Sequence, residues 1–378
     1  MLRLPFSTYI GPKQVIASPD SLGIIAVLPA TRIAVICSKR VSNSDKLVSL
    51  LDKHKRASIK VFNPSWKMEP SLSEIKPTLS KVVSFRPDYI VAIGGGSILD
   101  GAKIIRALYE HPNFPLERLN IPFSLPPMGV KCKFCAIPTT AGTGSEASST
   151  AVISDHDTGK KIPIISHDFL PDLVVLDPNL LVTLSPNLFF ISAMDALSHT
   201  LEGYVSTLKN HIADGLVLQA TKDIIHSLEQ FDNINNNNTS LFEASLRGAF
   251  FAGVIQNLKA VGPAHAIAHQ LGNSGVPHGL ITGSLLPHVM NFNMQDESVR
   301  NKYNTISTML GLKNPEYLIK HIAEFQYKFN MPTSLSMWET SVEQDIEVGK
   351  LANQDTLARY FPVKMSDDDL NSLFKVVW

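Results

Sequence analysis

The residues best suited to chemistry lie in the second half of a 378-residue chain. Asp195 and His199 stand four residues apart in Met194-Asp195-Ala196-Leu197-Ser198-His199, a spacing that puts a carboxylate and an imidazole on one helix face. Such a pair alone is equally compatible with a surface hydrogen bond. His265, His269 and His278 follow within fourteen residues, on a background of Ala, Ile, Leu and Val. Burying so many imidazoles without partners is unfavourable, so a shared ion is the economical reading. Asp195, His199, His265 and His278 would supply one oxygen and three nitrogen ligands, which suits Fe(II) or Zn(II) without choosing between them. A purely structural metal is the competing reading. It loses ground because ligands from three separated segments are expected to meet near two turns suited to a nucleotide.

The first of those turns, Gly94-Gly95-Gly96-Ser97-Ile98-Leu99-Asp100-Gly101-Ala102-Lys103, follows an apolar strand and opens a helix. Gly95 and Gly96 let the backbone approach an anion, the helix N-terminus attracts it, and Ser97 offers a hydroxyl to a pyrophosphate. The spacing matches neither GxGxxG nor the P-loop pattern. The second turn, Pro138 to Glu146 (PTTAGTGSE), follows the strand end Ala136-Ile137 and offers the Thr139 and Thr140 hydroxyls to a base or ribose. In an open α/β sheet, ligands lie beyond the carboxyl ends of strands, so both turns can face one dinucleotide.

The elements that must position these residues change character along the chain. Arg32–Cys37, Ser58–Phe62, Tyr89–Ile93 and Leu173–Leu176 read as buried strands, and Asp45–His54 and Ser71–Ser84 as helices between them. This alternation predicts a mostly parallel sheet covered by helices. After Ser185, long helical patterns take over at Leu188–Ser206, Ile212–Glu229 and Ser240–Asn257, and the asparagine-rich stretch Asp232 to Ser240 reads as an inter-helix loop. The expected organisation is an α/β domain over residues 1–185 and an all-helical domain over 186–378, with the site in the cleft between them.

Composition narrows the function classes. Lys+Arg 34 against Asp+Glu 34 leaves no net charge, so no global field points to nucleic acid or a membrane surface. The N-terminal stretch lacks the pattern of a secretory signal, no apolar run is long enough to span a bilayer, and three cysteines cannot make a disulfide framework. A soluble cytoplasmic protein is expected. Cys132 and Cys135 form a CxxC, read as structural for want of a second pair or neighbouring His ligands.

Four ordered motifs, GGGSILDGAK, PTTAGTGSE, DALSHTLEGY from Asp195, and AHAIAHQLG followed by PHG and LLPHVMNFN, resemble the iron-activated (group III) alcohol dehydrogenases over essentially the whole chain. The resemblance implies an α/β N-terminal dinucleotide-binding domain plus an all-α C-terminal domain, the fold shared with dehydroquinate synthase. It implies metal ligands at Asp195, His199, His265 and His278. It implies nucleotide contacts at Gly96, Ser97, Asp100, Thr139, Thr140, Ser148 and Lys161, with Leu180 near the cofactor. His269 corresponds to a non-ligand histidine beside the nicotinamide, in substrate contact or proton relay, whereas His288 reads as structural. The implied activity is hydride transfer between NAD or NADP and a small alcohol or aldehyde, with the metal as Lewis acid. A homodimer or higher homo-oligomer is implied as well. Two other classes compete: a lyase or cyclase like dehydroquinate synthase, which binds NAD without net turnover, and a non-catalytic nucleotide-binding protein.

The chain departs from that family twice. After Arg32–Cys37, where NAD-preferring members carry an Asp, it has Ser38, Lys39 and Arg40, which leaves NAD and NADP equally open. Before His265 it reads Gln256-Asn257-Leu258-Lys259, and Gln256 with Lys259 would suit a substrate bearing an acidic group; the bland reading leaves Lys259 in solvent.

Overall fold

The computed structural model describes residues 8–66, 69–155, 161–231, 239–272, 274–332, 334–337 and 347–378. Its first half is organised around inner strands whose side chains are apolar on both faces. Six strands pair in parallel: β1 (Val15–Ala17), β2 (Arg32–Cys37), β3 (Ser58–Phe62), β4 (Tyr89–Gly94), β5 (Lys133–Pro138) and, after the two strands of a separate ribbon, β8 (Leu173–Leu176). Their order across the sheet is β1-β8-β5-β4-β2-β3. In β2, Ile33, Val35 and Cys37 enter one buried layer and Ala34 and Ile36 the other, as strand alternation requires.

Helices α1 (Lys39–Ser42), α2 (Asp45–Lys53), α3 (Leu72–Phe85) and α4 (Gly96–Glu110) connect these strands. Helix α3 starts at a capping box in which Ser71 and Glu74 exchange backbone hydrogen bonds, which fixes its first turn. Helix α4 is buried on nearly every side, because it lies between the sheet and an antiparallel ribbon, β6 (Thr150–Ser154) with β7 (Lys161–Ile165). The ribbon and the edge strand β1 were not among the expected elements. The CxxC cysteines fall on opposite faces of the sheet, Cys132 in one apolar layer and Cys135 in the other. Burial raises both thiols, Cys132 to about 12, consistent with inert packing residues.

From residue 186 onward the described residues are helical: α5 (Pro186–Val205), α6 (His211–Gln230), α7 (Thr239–Leu258), α8 (Pro263–Gln270), α9 (His278–Asn293), α10 (Glu297–Met309), α11 (Pro315–Lys328), α12 (Val348–Gln354) and α13 (Asp367–Val377). They share one apolar core in which α5 is central, packed by α6, α7 and α9. Most of the expected asparagine-rich loop, residues 232–238, lies outside the described residues. None of the described helices is long and apolar enough to cross a membrane.

Candidate active site

Strand order locates a crevice. The chain leaves β2 toward β3 on one side and leaves β4 toward β5 on the other, so the carboxyl ends of the neighbouring strands β2 and β4 form the switch point where open α/β sheets bind ligands. Ser38 follows β2 and the Gly95-Gly96-Ser97 turn follows β4, so both flank that crevice. Gly95 is the N-cap of α4 and supplies no side-chain cap, leaving the helix start available to an anion. The second turn lies alongside: the Thr139 N–H donates to the Gly94 carbonyl at 3.0 Å, and the Thr140 hydroxyl faces Gly95. The backbone here suits a dinucleotide phosphate.

Two residues expected at the nucleotide are committed elsewhere. The Asp100 carboxylate accepts from the Ser145 hydroxyl and, at 3.0 Å, from the Val152 N–H, so it ties α4 to the second turn and to β6. The buried Ser148 hydroxyl donates to the Thr150 carbonyl at 3.1 Å. The fully buried Lys103 ammonium completes the network, donating to the Thr150 carbonyl at 2.6 Å and the Ser145 hydroxyl at 3.0 Å. Asp100 and Ser148 thus brace the turn from within. Ser38 accepts from the Val41 N–H at 3.4 Å as the cap of α1, and Leu180 is half-buried between the sheet layer and the helical core. Lys161 pairs with Glu69 at 2.7 Å, and its charge opposes the burial that raises the Asp195 carboxyl and adds to the burial that lowers the His278 imidazole.

Beside this crevice the metal candidates converge. The second turn backs onto α5 at Gly142, where an added methyl group would lie 2.9 Å from the Ser192 Cα, less than one turn before Asp195. Asp195, His199 and His265 offer ligand atoms that all lie within 4.8 Å of one another. His278 joins from the first residue of α9, its Nε2 3.9 Å from Asp195 Oδ1, the same separation as His265 Nε2 from that oxygen. Gly279 makes this possible: a Cβ there would sit 2.3 Å from the Ile191 carbonyl and 2.8 Å from Asp195 Cβ, so only glycine lets α9 approach α5.

The electrostatics suit a cation. Burial drives His199 down to about 3 and holds His265 and His278 well below the usual imidazole range, so all three are neutral and keep a lone pair for coordination. Burial also raises Asp195, against the lowering fields of His199 and Lys161 and the Thr282 hydroxyl, which donates to it at 3.3 Å. His265 Nε2, the nitrogen that faces Asp195, is buried with no hydrogen-bond partner, whereas His278 faces Asp195 through Nε2 and its unpartnered buried nitrogen is Nδ1. An unpartnered imidazole nitrogen beside a buried carboxylate, with the His199 ligand atom within 4.8 Å of both, is what a divalent ion would satisfy, so the donor set fits a metal.

Glu202 supports the set and was not anticipated. Its carboxylate lies 2.6 Å from His265 Nδ1 and accepts the N–H groups of Gly262 at 2.9 Å and Ala264 at 2.7 Å. With both backbone donors and His265 aimed at it, Nδ1 carries the proton and Nε2 the lone pair. The signal was present in the sequence, since Glu202 falls seven residues after Asp195 and three after His199, on the same helix face.

The substrate expectation needs correction. The Lys259 ammonium is buried against Asp214 at 2.5 Å and the Tyr204 carbonyl at 3.1 Å, at the C-terminal end of α5, so its charge is spent within the helical core. Gln256 donates to the Thr143 carbonyl at 3.0 Å, clamping α7 to the second turn. Neither shows a contact with the histidine cluster. His269 does lie beside it, stacked on His278, while His288 is exposed on α9.

Comparisons with known proteins agree with this architecture. The family model for iron-containing alcohol dehydrogenase matches residues 12–178, and the model for the C-terminal part of the Fe-containing alcohol dehydrogenase family matches residues 189–378. The bifunctional aldehyde-alcohol dehydrogenase of Escherichia coli is 32% identical over 320 residues, 77% of this chain and 35% of that protein. The chain spans only 35 to 37% of the first three curated relatives it matches. The NADPH-dependent butanol dehydrogenase of Clostridium saccharobutylicum is 30% identical over 354 residues, 90% of this chain and 89% of that protein. An iron-containing alcohol dehydrogenase from Thermococcus thioreducens superposes with a TM-score of 0.87 at 25% identity, covering 98% of this chain and 99% of that one.

Proposed function

The chain belongs to the iron-containing alcohol dehydrogenase family, and from that premise we propose that it is an oxidoreductase interconverting a small alcohol and its carbonyl compound with NAD or NADP. The observation that carries the reading is the buried group of Asp195, His199 and His265, whose ligand atoms lie within 4.8 Å of one another, with the unpartnered His265 Nε2 and the His278 Nε2 each 3.9 Å from Asp195 Oδ1, next to the nucleotide crevice. These four residues would hold Fe(II), with Zn(II) as the alternative ion. When bound, the metal supplies Lewis acidity at the substrate oxygen, and the nicotinamide supplies or accepts the hydride.

The chain's own contribution is placement. Gly95, Gly96, Ser97, Thr139 and Thr140 would receive the dinucleotide, with Lys161 between it and the metal ligands, while Asp100 and Ser148 hold the turns in register. His269 would contact substrate. No carboxylate follows β2, and Lys39 and Arg40 are exposed there, so a 2′-phosphate meets attraction rather than repulsion. The name of the butanol dehydrogenase relative favours NADPH in the same way. A cytoplasmic setting, homo-oligomeric assembly and a domain division at residues 185 and 186 belong to the same proposal, supported by the family, by three unpaired buried cysteines and by the end of the sheet at Leu176.

The test is dinucleotide oxidation by Fe(II)-loaded and Zn(II)-loaded protein with NADH and NADPH across neutral and acidic aldehydes. Net turnover is expected, and His265→Ala should abolish both it and metal retention. Binding of NAD without turnover by any substrate would favour the lyase class, and full activity of His265→Ala would overturn the metal assignment.

A further inference from the structure

The C-terminal region contributes a residue that none of the motifs contains. His269 lies one turn beyond His265 on α8, and its ring is stacked on that of His278, with centroids 6.0 Å apart and 13° between planes. Its side chain is 31% exposed, against 21% for His278 and 2% for His265, so it stands at the open side of the cluster. His269 Nδ1 is 2.9 Å from Asp355 Oδ2. Asp355 caps the short 3-10 turn Thr356–Tyr360, and its Oδ1 accepts the Leu357 N–H at 2.9 Å. Each carboxylate oxygen therefore has a separate duty, one fixed by the backbone and one facing the imidazole. Burial alone would raise this carboxyl, but the His269 contact and the backbone donor hold it below the usual range.

We propose that Asp355 is a positioning residue for His269: it keeps the imidazole proton on Nδ1 and presents the Nε2 lone pair as the acceptor for the hydroxyl of an alcohol substrate. This rests on the dehydrogenase reading for the substrate, while the tautomer is a property of the chain itself. A carboxylate that cannot donate, held in place by Leu357, leaves Nδ1 only the donor role. An imidazole whose tautomer is fixed accepts from an O–H at Nε2 in one orientation, which restricts how the alcohol lies against the metal ligands.

Asp355→Asn separates the possibilities. The Leu357 N–H needs an oxygen, so the amide nitrogen must turn toward His269 Nδ1 and move the ring proton to Nε2. Long-range proton–nitrogen NMR of histidine-labelled, zinc-loaded protein, with His269→Asn to identify the signals, should show an Nδ1–H tautomer for His269 in the unmodified chain and Nε2–H in Asp355→Asn. Alcohol oxidation should lose about 10-fold to 100-fold in kcat/KM with metal content unchanged, and Asp355→Glu should recover part of it. An unchanged tautomer in Asp355→Asn overturns the proposal. So does a tautomer switch without loss of alcohol oxidation, or an equal loss in Asp355→Glu with the tautomer retained. Absence of dinucleotide turnover in the unmodified protein would count against the dehydrogenase reading and leave the tautomer result standing.

Discussion

Glu202 lies 2.6 Å from His265 Nδ1, and the same carboxylate is held by the N–H groups of Gly262 and Ala264 at the start of α8. Helix α5 therefore supplies Asp195 and His199 to the cluster and also orients the imidazole that α8 contributes. Three donors converge on one carboxylate, so an amide in its place would set an NH2 group against another N–H. Glu202→Gln should weaken metal binding about 10-fold to 100-fold, read by competition against a chelator. Undiminished affinity would mean that the pair does not set the metal site.

Gly279 decides how closely α9 reaches α5, and through that where His278 stands. A methyl group 2.3 Å from the Ile191 carbonyl cannot be accommodated without moving one helix. Gly279→Ala should cost about 1–3 kcal/mol of stability from overpacking and lower metal affinity together with it. Gly215→Ala, on the exposed face of α6 with nothing within 4 Å of the added carbon, is the control; it should stabilise by roughly 0.4–1 kcal/mol through the unfolded chain. Equal thermal shifts in the two variants would refute the helix-contact argument.

Strands β2 and β8 coincide with their expected bounds because each is an almost continuous apolar run in a sheet covered on both faces, whereas the edge strand β3, with Ser58 and Lys60 exposed, was legible from its alternation. The pairing of Asp195 with His199 was legible for a related reason, as helical periodicity brings i and i+4 together. The antiparallel ribbon β6–β7 was not legible, since its alternation is weak and it exists to cover α4, a tertiary requirement. Asp355 was hidden because it meets His269 across 86 residues through a turn whose own sequence shows only a cap. Lys259 misled for the opposite reason. A cation near the pocket in sequence finds its partner in Asp214, which only the packing of α6 against α7 reveals.

Glu146 provides a pH dependence away from the metal ligands. Burial raises its carboxyl to about 7, with Lys103 opposing and Asp100 adding to the rise, and its Oε1 has no hydrogen-bond partner. The folded-state value exceeds the unfolded one, so between pH 4.5 and about 7 the unfolded chain has released a proton that the folded chain retains. Stability therefore falls as pH rises through that window, and each unit of separation corresponds to about 1.4 kcal/mol. Glu146→Gln should be near-neutral in stability at pH 4.5 and more stable than the unmodified chain above pH 7, by at most a few kcal/mol. Chemical denaturation at both pH values tests this, and a difference independent of pH would refute it.

Ser38 stands at the carboxyl end of β2 with Lys39 and Arg40 exposed beside it, where a carboxylate would face a ribose 2′-phosphate. Ser38→Asp should lower the ratio of kcat/KM for NADPH over NADH tenfold or more, roughly 1.4 kcal/mol of discrimination. The side chain can still cap α1, so stability should hold. An unchanged ratio would place the adenosine ribose elsewhere.

Lys259 offers the sharpest test of substrate charge. Its ammonium and that of Lys302 both donate to the Tyr204 carbonyl, at 3.1 and 2.6 Å, so two cations sit at the C-terminal end of the helix that carries Asp195 and His199. Lys259→Met would leave Asp214 without its partner and remove one of these cations. Asp214 is partly open to water, so the expected loss is about 1–3 kcal/mol rather than that of a fully buried pair. Relative kcat/KM for acidic and neutral aldehydes should not change, because the charge it removes never faced the cleft. If instead the variant loses acidic substrates selectively at unchanged stability, Lys259 must turn toward the substrate in the working enzyme, and selection for an acidic group would regain its basis.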